Sequence, residues 1–455
     1  MKSYELKPTY ENLLETYIND TIGRSKDVFL FSQILNGIES SCAVALDGSW
    51  GSGKTFFVKQ TKMLLDTYND NVNQTEPEDR ETIKSVYTDG DIQFQPQVCV
   101  YYDAWENDSD DDPILSLIIT IIKDMDTDYT FSNNETFIKK AATVLGVFTG
   151  RDWNEMIESF QGNNPFDKIR ENKKIEADIK EFLEDIIREK GNRLVIFIDE
   201  LDRCRPSYAV KLLERIKHYF SNDNITFVFS VNINELQHTI KKYYGETFDA
   251  CRYLDRFFDL RITLPPPDKM KFYHSINFGS TYTYDIVCKA VIEHYNLSLR
   301  EIAKYVQLTK IAAYEPTHSG RNFDFSFPDG RGRLFCLMYI LPIMIGLKIC
   351  DIQKYYDFIR GRDSSPLIDV VMRLQHHHFD DLLSSRETFN SNEEGKTFIT
   401  IDKKMKEIYN ALFLEPPGTN THCITIGDYE FGAGVKELLL RTESLLSRYS
   451  NMNVD

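Results

Sequence analysis

Positive charge is in deficit in this chain: 53 Lys and Arg stand against 70 Asp and Glu, a formal net charge of −17. A nucleic-acid duplex repels such a surface on average, so autonomous nucleic-acid binding is not expected, a small local basic patch aside. Organised cysteine is missing too. The eight cysteines (Cys42, Cys99, Cys204, Cys251, Cys288, Cys336, Cys350 and Cys423) form no C-x-x-C pair, and several sit inside apolar runs. That pattern excludes a zinc ribbon and a disulfide framework and reads as reduced thiols in a cytosol. Long apolar runs are absent as well. The longest uncharged stretch, Leu334–Leu347, is 14 residues and contains Pro342 and Gly346, against the ~20 residues a bilayer span needs. Ile114–Ile122 is shorter still and ends at Lys123. Both read as buried core helices. The N-terminal stretch MKSYELKPTYENLLETY has no apolar core followed by a cleavage site, so no secretory signal is expected. The expectation is a cytoplasmic protein without membrane contact. Neither G-x-S-x-G nor H-E-x-x-H occurs, which leaves serine-nucleophile and zincin chemistry without support.

What the chain does have is apolar material. Hydrophobic residues make up 42% and aromatics 13%, with 25 Tyr and 30 Phe, which excludes wholesale disorder. Its 455 residues suggest two or three domains at about 150 each. After a mixed helical segment over 1–40 with a turn at Ile22-Gly23-Arg24, the run Cys42–Leu46 reads as a strand. It breaks into a Gly/Ser loop and a helix over about 54–67. Residues 69–96 read as a polar excursion. Val98–Tyr102, Leu194–Ile198 and Ile225–Val231 are continuous apolar strands of the kind parallel sheets bury on both faces; Phe258–Leu264 is a fifth, closed by Pro265-Pro266-Pro267. Between them lie helices. One has Asp112 as N-cap and Pro113 at its first position. Another, about 172–189, carries Ile175, Ile179, Phe182, Leu183, Ile186 and Ile187 on one face. Residues 127–171 read as irregular. After Pro267 the signal is helical, over about 268–312, 331–360, 364–385, 400–414 and 430–448, with Cys423–Ile426 as a lone strand. The expected architecture is α/β: a core with a mostly parallel sheet over 1–267, a helical lid over 268–312, and a helical C-terminal region over 313–455.

The chemistry concentrates at two places. Gly48-Ser49-Trp50-Gly51-Ser52-Gly53-Lys54-Thr55 matches G-x-x-x-x-G-K-[ST] between a strand and a helix. Glycines there let backbone N–H groups wrap phosphate oxygens, and the helix beginning near Lys54 and Phe56 aims its positive end at them. Lys54 reaches the β- and γ-phosphates, and the Thr55 hydroxyl ligates Mg²⁺. In the second, the apolar strand Leu194–Ile198 delivers Asp199 to the magnesium shell, and Glu200 follows as general base for an attacking water. A helix-capping Asp-Glu pair is the alternative for the second element on its own.

These residues, with three more segments, resemble the KAP family of P-loop NTPases, in particular its phage-exclusion branch. Val195–Cys204 (VIFIDELDRC) resembles the family's magnesium-site signature with its Leu-Asp-Arg-Cys tail. Tyr101–Trp105 resembles its aromatic-Asn-Ala-Trp motif, with Asp103 where Asn is usual. Phe248–Pro265 resembles the helix and strand that close its core. Ser298–Ile302 resembles a Pro-Arg-Glu-Ile motif in the lid, with Leu299 in place of proline. The resemblance spans about 15–312. Many relatives insert membrane helices before the magnesium-site strand; here that interval offers only Ala141–Phe148, too short to span, so the resemblance implies a soluble member. It further implies ATP with Mg²⁺ as cofactors, ATP hydrolysis as a switch or motor, a nucleotide-dependent homo-oligomer, and a role in anti-phage defence. It places Asn232 between the acidic pair and the γ-phosphate, with helix capping as the equal alternative. It offers Arg300 acting from the lid and Arg256 acting from a neighbouring subunit. An ion pair of Arg256 with Asp255 or Asp259 is the more ordinary reading, and Arg203, beside the site, could equally be structural.

Other clusters read as bland. Asp103–Asp112 holds six carboxylates in ten residues and reads as a helix N-terminus, not a Ca²⁺ loop. His376–His378 with Asp380 and Asp381 reads as a solvated helix face. Glu394-Gly395-Lys396 with Asp380 and Asp381 only weakly resembles a nuclease set. Two rival functions remain at this point: an ATP-binding scaffold that recruits a protein partner through 313–455, and an ATPase-driven nuclease.

Overall fold

The computed structural model describes residues 6–72, 76–87, 93–128, 165–219, 223–279, 283–314, 332, 335–374, 394–414, 424–426, 429–431 and 435–444. The chain divides into two compact units, Lys7–Lys271 and Phe272–Asp455 with Met1–Leu6.

The first unit is built on five parallel strands: β1 (Cys42–Asp47), β2 (Gln97–Asp103), β3 (Arg193–Asp199), β4 (Ile225–Val231) and β5 (Leu260–Thr263), in the order β2-β3-β4-β1-β5. Every residue of β3 and β4 is buried, as continuous apolar runs require when helices cover both faces of a sheet. The two faces follow the period of two. Val98, Val100, Tyr102, Leu194, Ile196 and Ile198 join one core with α5 (Pro113–Asp128), α6 (Pro165–Lys190), α7 (Pro206–Tyr219) and α8 (Ile233–Tyr244). Cys99, Val195, Phe197, Val44, Leu46 and Val228 join the other, against α1 (Tyr10–Ile18), α2 (Ser25–Asn36) and α3 (Lys54–Thr67). β5 is a short edge strand with mostly exposed residues. It is tied back where Asp259 Oδ2 accepts from the Ala43 N–H at 2.8 Å. All five strands point their carboxyl ends the same way, the side on which open α/β sheets carry ligands.

Several boundaries differ from the sequence expectation, each for a local reason. The polar excursion contains α4 (Pro77–Val86), which has proline at its first position and Glu78 and Asp79 in its first turn, both favourable at a helix start. Its single buried side chain is Ile83, too sparse a pattern to read as an amphipathic face. α6 begins at Pro165, again a helix-opening proline, instead of at about 172. The fifth strand is confined to Leu260–Thr263. Ala141–Phe148 lies outside the described residues.

The second unit contains α10 (Thr283–His294), α11 (Leu299–Thr309), α12 (Leu341–Cys350), α13 (Ile352–Ile359), α14 (Ser365–Val371), α15 (Glu394–Phe413) and α16 (Val435–Glu443); α9 (Ala250–Leu254) precedes β5 in the first. The lone strand expected at Cys423–Ile426 is instead half of an antiparallel hairpin, β6 (Ile424–Ile426) with β7 (Tyr429–Phe431). A strand's N–H and C=O groups need a partner, and the nearest one in sequence supplies it. Leu341–Leu347 are all buried, so the apolar run is a core helix, and among the described residues no helix is long and apolar enough to cross a membrane. Ser298 opens α11 with a capping box: Ser298 Oγ accepts from the Glu301 N–H at 3.4 Å and Glu301 Oε2 accepts from the Ser298 N–H at 2.8 Å.

Helices α12 and α10 approach each other closely at Gly346, where an added Cβ would lie 2.5 Å from Val291 Cγ1 on α10. Val is stiff at χ1 and cannot swing away cheaply. Gly346→Ala is therefore expected to destabilise the helical unit by about 1–3 kcal/mol, read as a lower denaturant midpoint for that unit; an unchanged midpoint contradicts this packing.

Candidate active site

The loop Gly48–Gly53 leaves the sheet still hydrogen-bonded to it, with the Gly48 N–H donating to Val231 O at 3.1 Å. Gly51 (φ +74°) and Gly53 (φ +93°) both occupy the left-handed region. A Cβ is penalised there, so the loop can curl into the N-terminus of α3 only with glycine at these positions. Lys54, the first residue of α3, is 7% exposed. Its Nζ donates to Gly48 O at 2.6 Å and Ser49 O at 3.2 Å, so the ammonium lies inside the curl. Burial lowers its pKa, against the opposing pull of Asp202, Asp199 and Glu200. Ser49 and Trp50 are exposed, and Phe56 packs one side against the core beneath.

β3 ends at the next-but-one position in the sheet and carries Asp199, which has no solvent exposure. Thr55 Oγ1 donates to Asp199 Oδ2 at 2.7 Å, bringing together residues 144 apart in sequence. The Tyr101 hydroxyl donates to the same oxygen at 3.0 Å, and the Glu200 N–H donates to Oδ1 at 3.0 Å. Burial and the neighbouring Asp199 raise the Tyr101 phenol, so it stays a donor. Lys59 Nζ lies 4.2 Å from the centroid of the Tyr101 ring.

Glu200 follows in the left-handed region (φ 60°), uncommon for a non-glycine residue. The conformation ends the strand abruptly and opens a 3₁₀ turn, Leu201–Arg203. The Glu200 carboxyl is pushed up to about 7, first by burial and then by Asp199; Arg203, with which it forms an ion pair, and Lys54 pull it down. Asp202, 5% exposed, accepts from Trp50 Nε1 at 2.6 Å, and burial raises its pKa.

Asn232, the residue after β4, caps α8: its side chain accepts from the Glu235 N–H at 3.4 Å. Arg256 is exposed and, among the described residues, makes no ion pair. The carboxylates suggested for it are engaged elsewhere, Asp255 with Arg261 at 2.5 Å and Asp259 with the Ala43 N–H. Its carbonyl accepts from Lys217 Nζ at 2.7 Å. Arg300 is exposed on the first turn of α11, in the other compact unit. In the acidic stretch, Asp112 Oδ1 accepts from the Ile114 and Leu115 N–H groups at the start of α5, Asp103 Oδ1 accepts from those of Trp105 and Glu106, and Asp112 also pairs with Arg215. No group of three or more metal-ligating side chains occurs among the described residues. His376–His378, Asp380 and Asp381 lie outside the described residues, as do the side chains of Glu394 and Lys396.

Two contributors were not legible as such. Arg24, 2% exposed, sends Nη1 to Ser52 O at 2.6 Å and so braces the loop from behind. Burial pushes its pKa down to about 10, which leaves it charged at neutral pH. The only local signal is an arginine after a turn glycine, and nothing in the sequence names its partner 28 residues on. Tyr101 belongs to a recognised motif, but its hydroxyl contact depends on β2 and β3 lying side by side. Arg24→Ala removes a charged donor from a part-buried carbonyl. It is expected to cost about 1.5–3 kcal/mol of stability and to weaken ATP binding, checked by denaturant unfolding and titration calorimetry.

The residue types fit a magnesium nucleotide. Two left-handed glycines let the loop curl without a Cβ at its turning points, a buried ammonium sits within the curl, and a hydroxyl and a carboxylate, both hard oxygen ligands, meet at its edge. The sequence model described as "KAP family P-loop domain" matches residues 29–277. A solved structure, the Aeropyrum pernix ORC2 protein in ADPNP-ADP complexes, is 12% identical over 97% of this chain and 94% of that one, with a TM-score of 0.24. A comparison with curated proteins finds no match.

Proposed function

Since the chain belongs to the KAP family of P-loop NTPases, we propose that it hydrolyses ATP to ADP and phosphate, with Mg²⁺, and that turnover serves as a molecular switch. The observation that carries this reading is the 2.7 Å contact of Thr55 Oγ1 with Asp199 Oδ2. It places the phosphate loop and the acidic strand end at one point, on the ligand side of the sheet.

In this reading the backbone N–H groups of Gly48–Phe56 wrap the phosphates. Lys54 exchanges the Gly48 and Ser49 carbonyls for β- and γ-phosphate oxygens. Thr55 and Asp199 would hold Mg²⁺, which would supply charge neutralisation to the bound phosphates. Glu200 accepts a proton from the water that attacks the γ-phosphorus, and Asn232, whose amide N–H groups remain available as donors, orients that water. An arginine completes the charge balance at the transferring group: Arg256 from a second copy, or Arg300 from the helical unit. ATP is preferred to GTP on family membership, and the guanine-reading Asn-Lys-x-Asp string is absent from the sequence. A protein partner engaging 313–455 belongs to the same proposal, as does a trigger in phage infection, for which plaque counts with an intact and a Lys54→Ala locus are the test.

Lys54→Ala is expected to abolish ATP binding, whereas Glu200→Gln keeps binding and loses about 10²–10⁴ in turnover. A base must be deprotonated, and the Glu200 carboxyl stands at about 7. kcat/KM should therefore rise with pH through that value and fall below it. A Glu200→Gln protein that binds ATP and turns over normally refutes the assignment; a wild type that binds ATP without turnover is a scaffold.

Self-association in ATP and Mg²⁺ should raise specific activity with concentration, since an arginine supplied in trans contributes about 10³–10⁵ in kcat. Mixing Arg256→Ala with Glu200→Gln subunits should restore activity that neither has alone. Activity linear in protein and no rescue on mixing remove Arg256 and leave Arg300.

A further inference from the structure

The acidic strand end has a neighbour without a role in the scheme above. Ser230, the last residue but one of β4, has no solvent exposure, and its Oγ meets no hydrogen-bond partner among the described residues. In the sheet it stands between Leu46 of β1 and Asp199 of β3. Neighbouring strands are only about 4.8 Å apart. Ser230 alternates in step with Val228, which belongs to the core beneath α3, so it lies on the face where Thr55 meets Asp199. One residue further on, Val231 O accepts from the Gly48 N–H, where the phosphate loop begins. Hydroxyls buried elsewhere in this unit are engaged. Ser32 and Thr61 donate to helix carbonyls at 2.9 and 2.8 Å, and Thr226, four residues earlier on β4, accepts from Arg193 Nη1 at 3.1 Å.

We infer that Ser230 is a positioning residue for Mg²⁺, its hydroxyl kept unpaired in the sheet for the hydration shell of the ion that Thr55 and Asp199 would hold; the inference rests on the magnesium-nucleotide reading of this site. An unpaired buried hydroxyl is unfavourable. A position that only had to pack between Leu46 and Asp199 would be better filled by an apolar side chain. Mg²⁺ gives up its waters reluctantly and is bound with several of them in place, and each of those waters is a donor in need of an acceptor. Asp199 has little left to offer. Of the roughly four lone-pair sites on a carboxylate, three are taken, by Thr55, Tyr101 and the Glu200 N–H. A serine hydroxyl one strand away adds acceptor capacity and a donor, and it adds no negative charge to a site that already holds Asp199, Glu200 and Asp202. Stability is thereby given up in the nucleotide-free protein and recovered with the ion bound, the usual opposition between folding and function at a binding site.

Binding and stability, measured without turnover, separate a hydroxyl that serves the ion from one that serves the fold. In the full chain, the affinity for the non-hydrolysable ATP analogue AMP-PNP is measured by titration calorimetry in EDTA and in excess Mg²⁺. The ratio of the two dissociation constants is the increment due to the ion. Ser230→Ala should shrink that increment about 3- to 10-fold, the contribution of one hydrogen bond, and leave the affinity in EDTA unchanged. In the same variant the denaturant midpoint of the nucleotide-free protein should hold or rise, because an unpaired buried group has been removed. Thr226→Val, whose hydroxyl is engaged with Arg193, should do the opposite: a lower midpoint with the increment intact. An unchanged increment in Ser230→Ala overturns the inference. So does a fall in its midpoint or a failure to fold, since either means that the hydroxyl already serves the fold. A wild type whose AMP-PNP affinity is indifferent to Mg²⁺ removes the magnesium reading and this inference together; a wild-type increment that survives whole in Ser230→Ala removes Ser230 alone.

Discussion

A carboxylate with no solvent exposure cannot be left unpaired, and Asp199 meets that constraint with donors from three separate segments: Thr55 on α3, Tyr101 on β2 and the Glu200 N–H at its own strand end. Removing such donors from a buried charge costs far more than an exposed pair is worth. The demand of this one side chain therefore fixes the first turn of α3 against the sheet, holds β2 in register beside β3, and sets where the backbone must turn. The phosphate loop's curvature and the position of Glu200 follow from it.

The two acidic residues that close β3 live in different surroundings although they are adjacent. Asp199 spends its oxygens on neutral donors. Glu200 sits half-buried among two other carboxylates and two cations, which brings its proton affinity near neutrality. Pairs of titratable groups given different environments are how a fold separates a ligand-holding carboxylate from a proton acceptor.

Much of this was readable before any coordinates. β3 and β4 announce themselves as unbroken apolar runs because both faces are covered. The phosphate loop follows from glycine spacing. What stayed hidden depends on contacts distant in sequence. Arg24 reaches a carbonyl 28 residues on, Trp105 faces a guanidinium nearly a hundred residues later, and Tyr101 finds Asp199 across the sheet. Local periodicity carries no information about these. The helix α4 was missed for the opposite reason, since one buried side chain is too little pattern to recognise.

The strand order also bears on how the chain is made. β1 carries the phosphate loop and lies between β4 and β5, so its partners are about 180 residues or more further along. At ribosomal rates of about 5–20 residues per second, Val44, Ala45 and Leu46 wait roughly 10 to 40 seconds for the strand that will flank them. For that interval an aggregation-prone apolar segment is without its sheet neighbours, and α1, α2 and α3 are the helices of its core at hand to shield it. The earliest-synthesised part of the nucleotide site is thus among the last to be assembled, and nascent chains halted before Val231 would hold the loop's sequence without its shape.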